Sequence, residues 1–185
     1  MISPALEAER IHLTGLLVAI QCCVYFLEAS DRKHVWPLVP GYLAANKKDI
    51  AVFESLAAIN ERFAKLQDTL GVAMRHAVLL AGESGDTFLK VLAFYEKVGV
   101  LDSVAAWQLC RTTRNLAAHD YETDYAEIDD HFNSLHALIR QLYDNAARFL
   151  AYCQEVLSIL PAYEDFTDEF TVIVRTQVVL RHLKN

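Results

Sequence analysis

The sequence predicts an all-α fold, an up-and-down antiparallel bundle of four to six helices. Only 6 glycines and 4 prolines occur in 185 residues, so few residues interrupt regular structure. Hydrophobic residues make up 54% of the chain and charged residues 22%, a balance that excludes intrinsic disorder. Apolar residues recur at steps of three and four in several long segments, which is the period of one helix face. Long helices joined by mostly short turns form antiparallel bundles.

The first helix is expected to begin at Pro4, after the N-cap candidate Ser3, and to run to about Ser30. Residues 31–46 form the clearest irregular connection, since they contain two prolines and a glycine. We expect Trp36 to pin this loop to the bundle, because aromatic residues anchor loops more often than they bind ligands.

The remaining helices are bounded by capping residues, glycines and a proline. The second helix is expected to follow Asn46 and either to end at Gly71 or to continue through residues 72–80. The next is expected from Ser84 or Asp86 to Gly99, and another from about Val104 to about His119. The last of these runs from about Tyr125 to Leu160, where Pro161 ends it. The tail over residues 165–185 is rich in β-branched residues, but a lone strand would have no partner, so we predict a helix. The expected organisation is a helical bundle over residues 1–160 and a C-terminal extension over residues 161–185, packed on the bundle or on a dimer partner.

The net charge of −7 argues against nucleic-acid binding through the overall electrostatic field. Any RNA-directed function must therefore use a local basic pocket. The four cysteines include no C-x-x-C pair, and Glu7, Glu9 and Arg10 stand where a secretory signal would be apolar. We therefore expect reduced, mostly buried cysteines in a cytoplasmic protein. No segment is predicted to span a membrane, because the apolar windows are too short or are interrupted by polar residues.

The candidate functional residues, which are polar or ionisable, lie near the end of an otherwise apolar helix. Arg111, Arg114 and Asn115 form one neighbourhood on a helix, and Asn115 and His119 are four residues apart. Tyr121 follows two residues later. Arg114 and His119 are separated by about 140° around a helix, so they do not stack directly. A shared site needs either a wrapped arginine side chain or a second copy of the helix facing the first, as in a two-fold dimer.

An arginine and a histidine together suit phosphate chemistry. A guanidinium can hold two phosphate oxygens, and an imidazole can accept a proton from a ribose 2′-hydroxyl near neutral pH. Such a site needs no metal or cofactor, and the histidines and aspartates elsewhere form no metal-ligand pattern. The structural alternative is that Arg114 pairs with Asp120, Glu122 or Asp124 while His119 complements the helix dipole. Isolated arginine and histidine pairs are weak signals, so spacing alone favours this alternative.

The segment Arg114-Asn-Leu-Ala-Ala-His119-Asp-Tyr121 resembles the signature of the HEPN superfamily, an arginine and a polar residue followed by a histidine. The tyrosine two residues after the histidine is similar to the HepT-like branch. The likeness covers residues 6–153 in helix order and is specific from residue 60 to residue 121. Further segments resembling that branch are Glu96-Lys-Val-Gly-Val-Leu, Trp107 and Phe63-Ala-Lys-Leu-Gln-Asp-Thr-Leu70.

This resemblance implies a helical homodimer with the signature at its two-fold axis. Many members are metal-independent endoribonucleases that leave cyclic phosphate ends, which would make Arg114 and His119 catalytic, with Asn115 and Arg111 in support. HepT-like members are often toxins whose small nucleotidyltransferase antitoxin transfers AMP to the signature tyrosine, here Tyr121. The alternative implied role is a non-catalytic binding subunit of a two-component nucleotidyltransferase, which binds the catalytic partner or a nucleotide.

The acidic residues after the signature depart from a simple RNA-binding site. They would repel RNA, and they could instead contact a basic surface of a nucleotidyltransferase. The simpler interpretation is that these residues form a solvated turn and a helix start whose negative charges complement the helix dipole. These residues are Asp120, Glu122, Asp124, Glu127, Asp129 and Asp130.

Overall fold

The structure is a computed structural model that describes residues 4–116 and 124–182, with Leu116 and residues 176–182 described as backbone only. Within these residues the chain forms seven helices and no strand, which confirms the all-α class; the count exceeds the expected four to six because one helix is a single turn. The helices are α1 (Pro4–Asp31), α2 (Tyr42–Ala45), α3 (Ile50–Leu80), α4 (Phe88–Lys97), α5 (Val104–Leu116), α6 (Tyr125–Leu157) and α7 (Thr167–His182).

Helix α1 runs antiparallel to α3. Near the beginning of α1, Glu9 contacts His76, which lies in the last turns of α3. Towards the other end of α1, the carbonyl of Phe26 accepts a hydrogen bond of 2.8 Å from Arg62, which lies earlier in α3. The two helices therefore meet along most of their lengths, with opposite directions.

Helix α6 also runs antiparallel to α1. Its first half meets the end of α1, where His136 Nδ1 lies 2.8 Å from Asp31 Oδ1. Its last residues meet the beginning of α1, where the carbonyl of Leu157 accepts a hydrogen bond of 3.2 Å from Arg10. Helices α3 and α6 are consequently parallel to each other, and both are antiparallel to α1.

Helix α5 completes an up-down-up-down bundle with α1, α3 and α6. Trp107, near the beginning of α5, packs beside Gly71 of α3. Arg114, near the end of α5, reaches the earlier residue Ala64 of α3. Helix α5 is thus antiparallel to α3, and the short helix α4 packs against both of them.

Gly71 lies inside α3 and does not end it. The helix continues to Leu80, which settles the alternative that the sequence left open. A Cβ at position 71 would lie 3.2 Å from the Phe88 ring and 3.7 Å from Trp107. The missing side chain therefore lets α4 and α5 approach the α3 backbone closely.

Several helix ends differ from the predicted ones. Helix α3 begins after Asp49, which accepts a 3.2 Å hydrogen bond from the Val52 N–H, and not after Asn46. Thr87 is the N-cap of α4, in place of the predicted Ser84 or Asp86. Helix α6 ends at Leu157 and not at residue 160, because Ser158 adopts the left-handed conformation with φ 53° before Pro161 is reached.

Helix α1 is 28 residues long and, by length and hydropathy alone, could cross a membrane, although the sequence predicted no spanning segment. Its apolar stripe is buried against α3, α6 and α7. This buried stripe accounts for part of the hydropathy of α1, because a core helix and a membrane span both need apolar residues. The residues of the stripe with no exposed surface are Leu13, Leu17, Ile20, Val24 and Leu27.

A polar stripe on α6 binds the loop that follows α1 and the first turn of α2. The carboxylate of Asp129, 2% exposed, accepts hydrogen bonds from the N–H groups of Gly41 at 3.0 Å and Leu43 at 3.2 Å. One turn later, the Asn133 amide accepts from the Leu38 N–H and donates to the Leu38 carbonyl. These side chains satisfy backbone groups that a loop cannot pair within itself.

Trp36 anchors the same loop, as the sequence predicted. Its ring stacks on His136 of α6 with the ring centroids 4.4 Å apart, and its Nε1 donates a 3.0 Å hydrogen bond to the Asp31 carbonyl. The Trp36–Pro37 peptide bond is cis. Apolar burial and side-chain hydrogen bonds thus hold the loop together.

The tail forms helix α7, as predicted, despite its β-branched residues. Before the helix begins, the Ala162 N–H donates a 3.1 Å hydrogen bond to the Thr14 carbonyl of α1. At its first turn, Thr167 lies 3.3 Å from Gln21 of α1. Phe170 is buried in the same core, so packing against α1 outweighs the intrinsic preference for a strand.

The Asp129 carboxylate provides a test of how the loop is held. We expect Asp129→Ala to lower the free energy of unfolding by about 2–4 kcal/mol, because the N–H groups of Gly41 and Leu43 lose a charged acceptor. Asp130→Ala is the matched control, since Asp130 is the exposed neighbouring aspartate and should change the stability by less than about 0.5 kcal/mol. Urea unfolding followed by circular dichroism measures both, and equal effects would contradict this role of Asp129.

Candidate functional site

Helix α5 carries the first part of the predicted site, and its beginning is well defined. The Ser103 hydroxyl accepts a 3.0 Å hydrogen bond from the Ala106 N–H, which is the contact that an N-cap serine makes. The Glu96 carboxylate accepts a 2.6 Å hydrogen bond from the Val104 N–H. Buried Trp107 then faces α3, so the rotation of α5 around its axis is set before the signature begins.

Arg114 is held against α3. Its Nη1 donates a 2.8 Å hydrogen bond to the carbonyl of Ala64, and Asp68 Oδ1 forms an ion pair with the same nitrogen at 2.8 Å. The Arg114 side chain is only 13% exposed. Its Nε is buried and has no hydrogen-bond acceptor within the described part of the chain. The guanidinium is therefore partly withdrawn from solvent and fixed in position.

The acidic partner of Arg114 differs from those that the structural alternative named. Of those, Asp120 and Glu122 lie outside the described residues. Asp124 caps α6 instead, by accepting hydrogen bonds from the first N–H groups of that helix. Asp68 was not singled out, although it belongs to the α3 segment that carries the family resemblance. Its position four residues after Ala64 is the sequence signal that could have found it, because both face α5.

Arg111 and Asn115 occupy the outer face of α5. Both are exposed, whereas Arg114 turns inwards to α3. The predicted neighbourhood is therefore divided: two polar side chains face solvent, and the arginine between them is bonded within the bundle. His119 and Tyr121 lie outside the described residues, so the predicted relation between Arg114 and His119 stays a prediction.

Two further polar atoms are buried in α3 near the contact with α5. Asn60 Oδ1 and Gln67 Oε1 have no hydrogen-bond donor among the described residues, while Gln67 Nε2 donates a 3.0 Å hydrogen bond to the Trp107 carbonyl. Together with Arg114 Nε they place on α3 and α5 three polar atoms without a hydrogen-bond partner in the described chain, and Arg140 and Gln141 of α6 carry further such atoms. An interface with unpaired polar groups is costly for stability, and such groups concentrate at functional sites.

The acidic residues around the beginning of α6 have separate roles. Asp124 is the N-cap of α6 and Glu127 lies in its first turn. Both agree with the simpler interpretation, in which negative charges at the helix start complement the helix dipole. Asp129 is neither solvated nor available to a partner, because it is buried beneath the 31–46 loop. The predicted acidic contact surface is therefore smaller than the sequence suggested.

The cysteines and histidines offer no alternative centre in the described residues. No group of three or more histidine, cysteine, aspartate or glutamate side chains there could hold a metal ion. Burial raises the pKa of Cys110 to about 11 and that of Cys153 to about 12, so both thiols stay protonated at neutral pH. Cys22 and Cys23 are only partly buried, so the expectation of mostly buried cysteines holds for two of the four.

Arg114 and Arg111 form a matched pair for testing the buried contact. We expect Arg114→Ala to lower the free energy of unfolding by about 1–3 kcal/mol, because the Ala64 carbonyl loses a charged donor. Arg111→Ala, in the exposed arginine one turn earlier, should change the stability by less than about 0.5 kcal/mol. Chemical unfolding of both variants measures the difference, and indistinguishable midpoints would show that the contact with α3 contributes nothing.

Comparisons of the chain with protein-family models, with curated proteins and with solved structures find no match. The all-α bundle is shown by the structure of this chain itself. The likeness to the HEPN superfamily rests on the residues from 60 to 121, and what it implies for activity and partners is a matter for proposal.

Proposed function

We propose that this protein is a metal-independent endoribonuclease toxin of the HepT-like HEPN kind. It acts as a cytoplasmic homodimer and is neutralised by a small nucleotidyltransferase that transfers AMP to Tyr121. Arg114 and His119 are the catalytic residues, and Asn115 and Arg111 support them. The observation that carries the proposal is the placement of Arg114, the first signature residue, in a fixed and largely buried position at the end of α5.

A fixed guanidinium suits the stabilisation of a phosphorane. The Ala64 carbonyl holds one nitrogen of Arg114, so the charge needs little rearrangement when negative charge develops on a phosphate nearby. The partial burial of the side chain strengthens such an interaction, because the surrounding protein screens it less than water would. Arg111 and Asn115, on the solvent-exposed outer face of α5, offer further donors for a phosphate or a base.

The proposed reaction is a transesterification of RNA. His119 accepts the proton of a ribose 2′-hydroxyl, and the 2′-oxygen forms a bond to the adjacent phosphorus. The bond from phosphorus to the 5′-oxygen breaks, and an imidazolium returns a proton to that oxygen. The products are a 2′,3′-cyclic phosphate and a free 5′-hydroxyl, and the proton balance requires neither a metal nor a redox cofactor.

Cleavage of RNA in EDTA tests this proposal. We expect the purified protein to cut single-stranded RNA into fragments with cyclic phosphate ends. His119→Ala and Arg114→Ala should each lower the rate by about 100-fold or more, since one loses the base and the other the charge stabilisation. Gel electrophoresis of end-labelled RNA measures the rates.

His12→Ala is the control for the histidine substitution, because His12 is exposed on α1 beside His76, which lies twelve residues along α3 from the Arg114 partner Ala64. Circular dichroism at the assay temperature establishes that Arg114→Ala is folded. RNA that stays intact in EDTA, or equal cleavage by all variants, would refute the nuclease.

A second function, a non-catalytic binding subunit of a two-component nucleotidyltransferase, is favoured by the pairing of Arg114. The guanidinium already has a carboxylate partner, Asp68, and the chain carries a net charge of −7. Both features lower the attraction for RNA phosphates. In this role the end of α5 binds the catalytic partner or a nucleotide.

Coexpression with a small nucleotidyltransferase separates the two functions. The toxin–antitoxin proposal predicts the mass of one added AMP group on the intact protein, and Tyr121→Phe should abolish it because the phenolic oxygen is the acceptor. The binding-subunit proposal predicts a complex that survives size-exclusion chromatography without modification, and one that tolerates His119→Ala. Failure of the two proteins to co-purify would count against the second function.

A further inference from the structure

Arg114 has two partners on α3 that differ in how firmly they are held. The Ala64 carbonyl belongs to the helix backbone and cannot move away while α3 is intact. The Asp68 carboxylate stands at the end of a short side chain that is 65% exposed, so it can rotate into solvent. One partner therefore anchors the guanidinium, and the other can leave it.

The Asp68 carboxylate has the charge and shape of a phosphate competitor. It places a negatively charged oxygen 2.8 Å from Arg114 Nη1, which is the distance at which a phosphate oxygen binds a guanidinium. Because the carboxylate is largely exposed, the ion pair contributes little to stability, and its displacement costs little. While the pair persists, it cancels much of the positive charge that would attract an anion.

We propose that Asp68 is a built-in competitor for Arg114, whose carboxylate occupies the phosphate position and must be displaced when RNA binds. This inference rests on the proposed function, because it assigns phosphate binding to Arg114. It adds a residue on α3 that determines the affinity of the site. It also reconciles a paired arginine with a phosphate-binding role, since the contact with Ala64 persists when Asp68 moves away.

The alternative role for Asp68 is positioning, in which the carboxylate orients the guanidinium for the substrate. The two roles predict opposite effects of removing the charge. A positioning residue supports binding, so its loss weakens binding. A competitor opposes binding, so its loss strengthens binding. The Ala64 hydrogen bond, which is independent of Asp68, favours the competitor role.

The chain offers a matched control in Glu61. This residue is exposed on α3, seven positions before Asp68 and therefore on a similar face of the helix. It lies about 10 Å from Asp68 along the helix axis, which is near the screening length in physiological salt. Glu61→Gln changes the net charge as Asp68→Asn does but leaves the ion pair of Arg114 in place.

The test is the binding of a fluorescein-labelled single-stranded RNA 12-mer in EDTA. It uses the full-length protein carrying His119→Ala, so that cleavage does not interfere. We expect Asp68→Asn to tighten binding by about threefold to fivefold, the size of effect expected for one largely exposed charge pair. Glu61→Gln should change the affinity by less than about twofold. Asp68→Ala should act like Asp68→Asn, because the carboxylate charge is the cause.

Each result decides the role of Asp68. Weaker binding by Asp68→Asn would establish positioning and overturn the proposal. An affinity equal to that of Glu61→Gln would also overturn it, since the charge would then act only at long range. If the protein carrying His119 cleaves no RNA but Asp68→Asn still binds RNA more tightly than Glu61→Gln, the nuclease proposal fails and the competitor proposal stands.

Discussion

The burial of α1 by its neighbours is the interaction on which the rest of the structure depends. Helix α1 contacts α3, α6 and α7, and its apolar stripe is inaccessible to solvent from Leu13 to Leu27. Fully buried aliphatic side chains each stabilise a fold by about 1.5–3 kcal/mol relative to exposed ones. This shared core places α3 and α6 parallel to each other and leaves a position for α5 across them. The end of α5, where the signature begins, is thereby located next to the middle of α3.

Polar side chains then fix the register between elements, which apolar burial alone does not determine. The stripe of Asp129, Asn133 and His136 on α6 holds the long loop by bonding its backbone and stacking on Trp36. At the other interface, Arg114 bonds the backbone of Ala64. In both places a side chain from one helix satisfies or uses main-chain groups of another element. Such contacts are directional, so they set register where hydrophobic contacts alone would allow sliding.

In the candidate site, Arg114 is paired within the bundle and is also the residue proposed to bind phosphate. Arg114 is bound in the way that structural arginines are, yet one of its two partners is a largely exposed carboxylate. The proposed competition requires this pair to open when a phosphate binds, whereas a positioning role for Asp68 keeps the pair closed. The behaviour of the Arg114–Asp68 pair therefore separates the roles proposed for this site.

Helix period, scarcity of glycine and proline, and the apolar stripe of α1 let the sequence determine the all-α class and most helix positions. The anchoring role of Trp36 was also predictable from its residue type. The helical tail was predictable only because a lone strand would have no partner, since its β-branched residues favour a strand. The sequence left open whether α3 continues through Gly71, because a glycine can either end a helix or make room for a neighbour. The structure shows the second role, since Phe88 and Trp107 pack closely against the α3 backbone at Gly71.

Only the tertiary structure decided the pairing of Arg114 with Asp68 and the burial of Asp129 beneath the loop. These contacts join residues 46 and 88 positions apart, respectively. Sequence periodicity reports which face of a helix is buried, since it reflects the local repeat of the backbone. It does not report which polar group on a distant segment will meet that face, because that depends on how the helices cross.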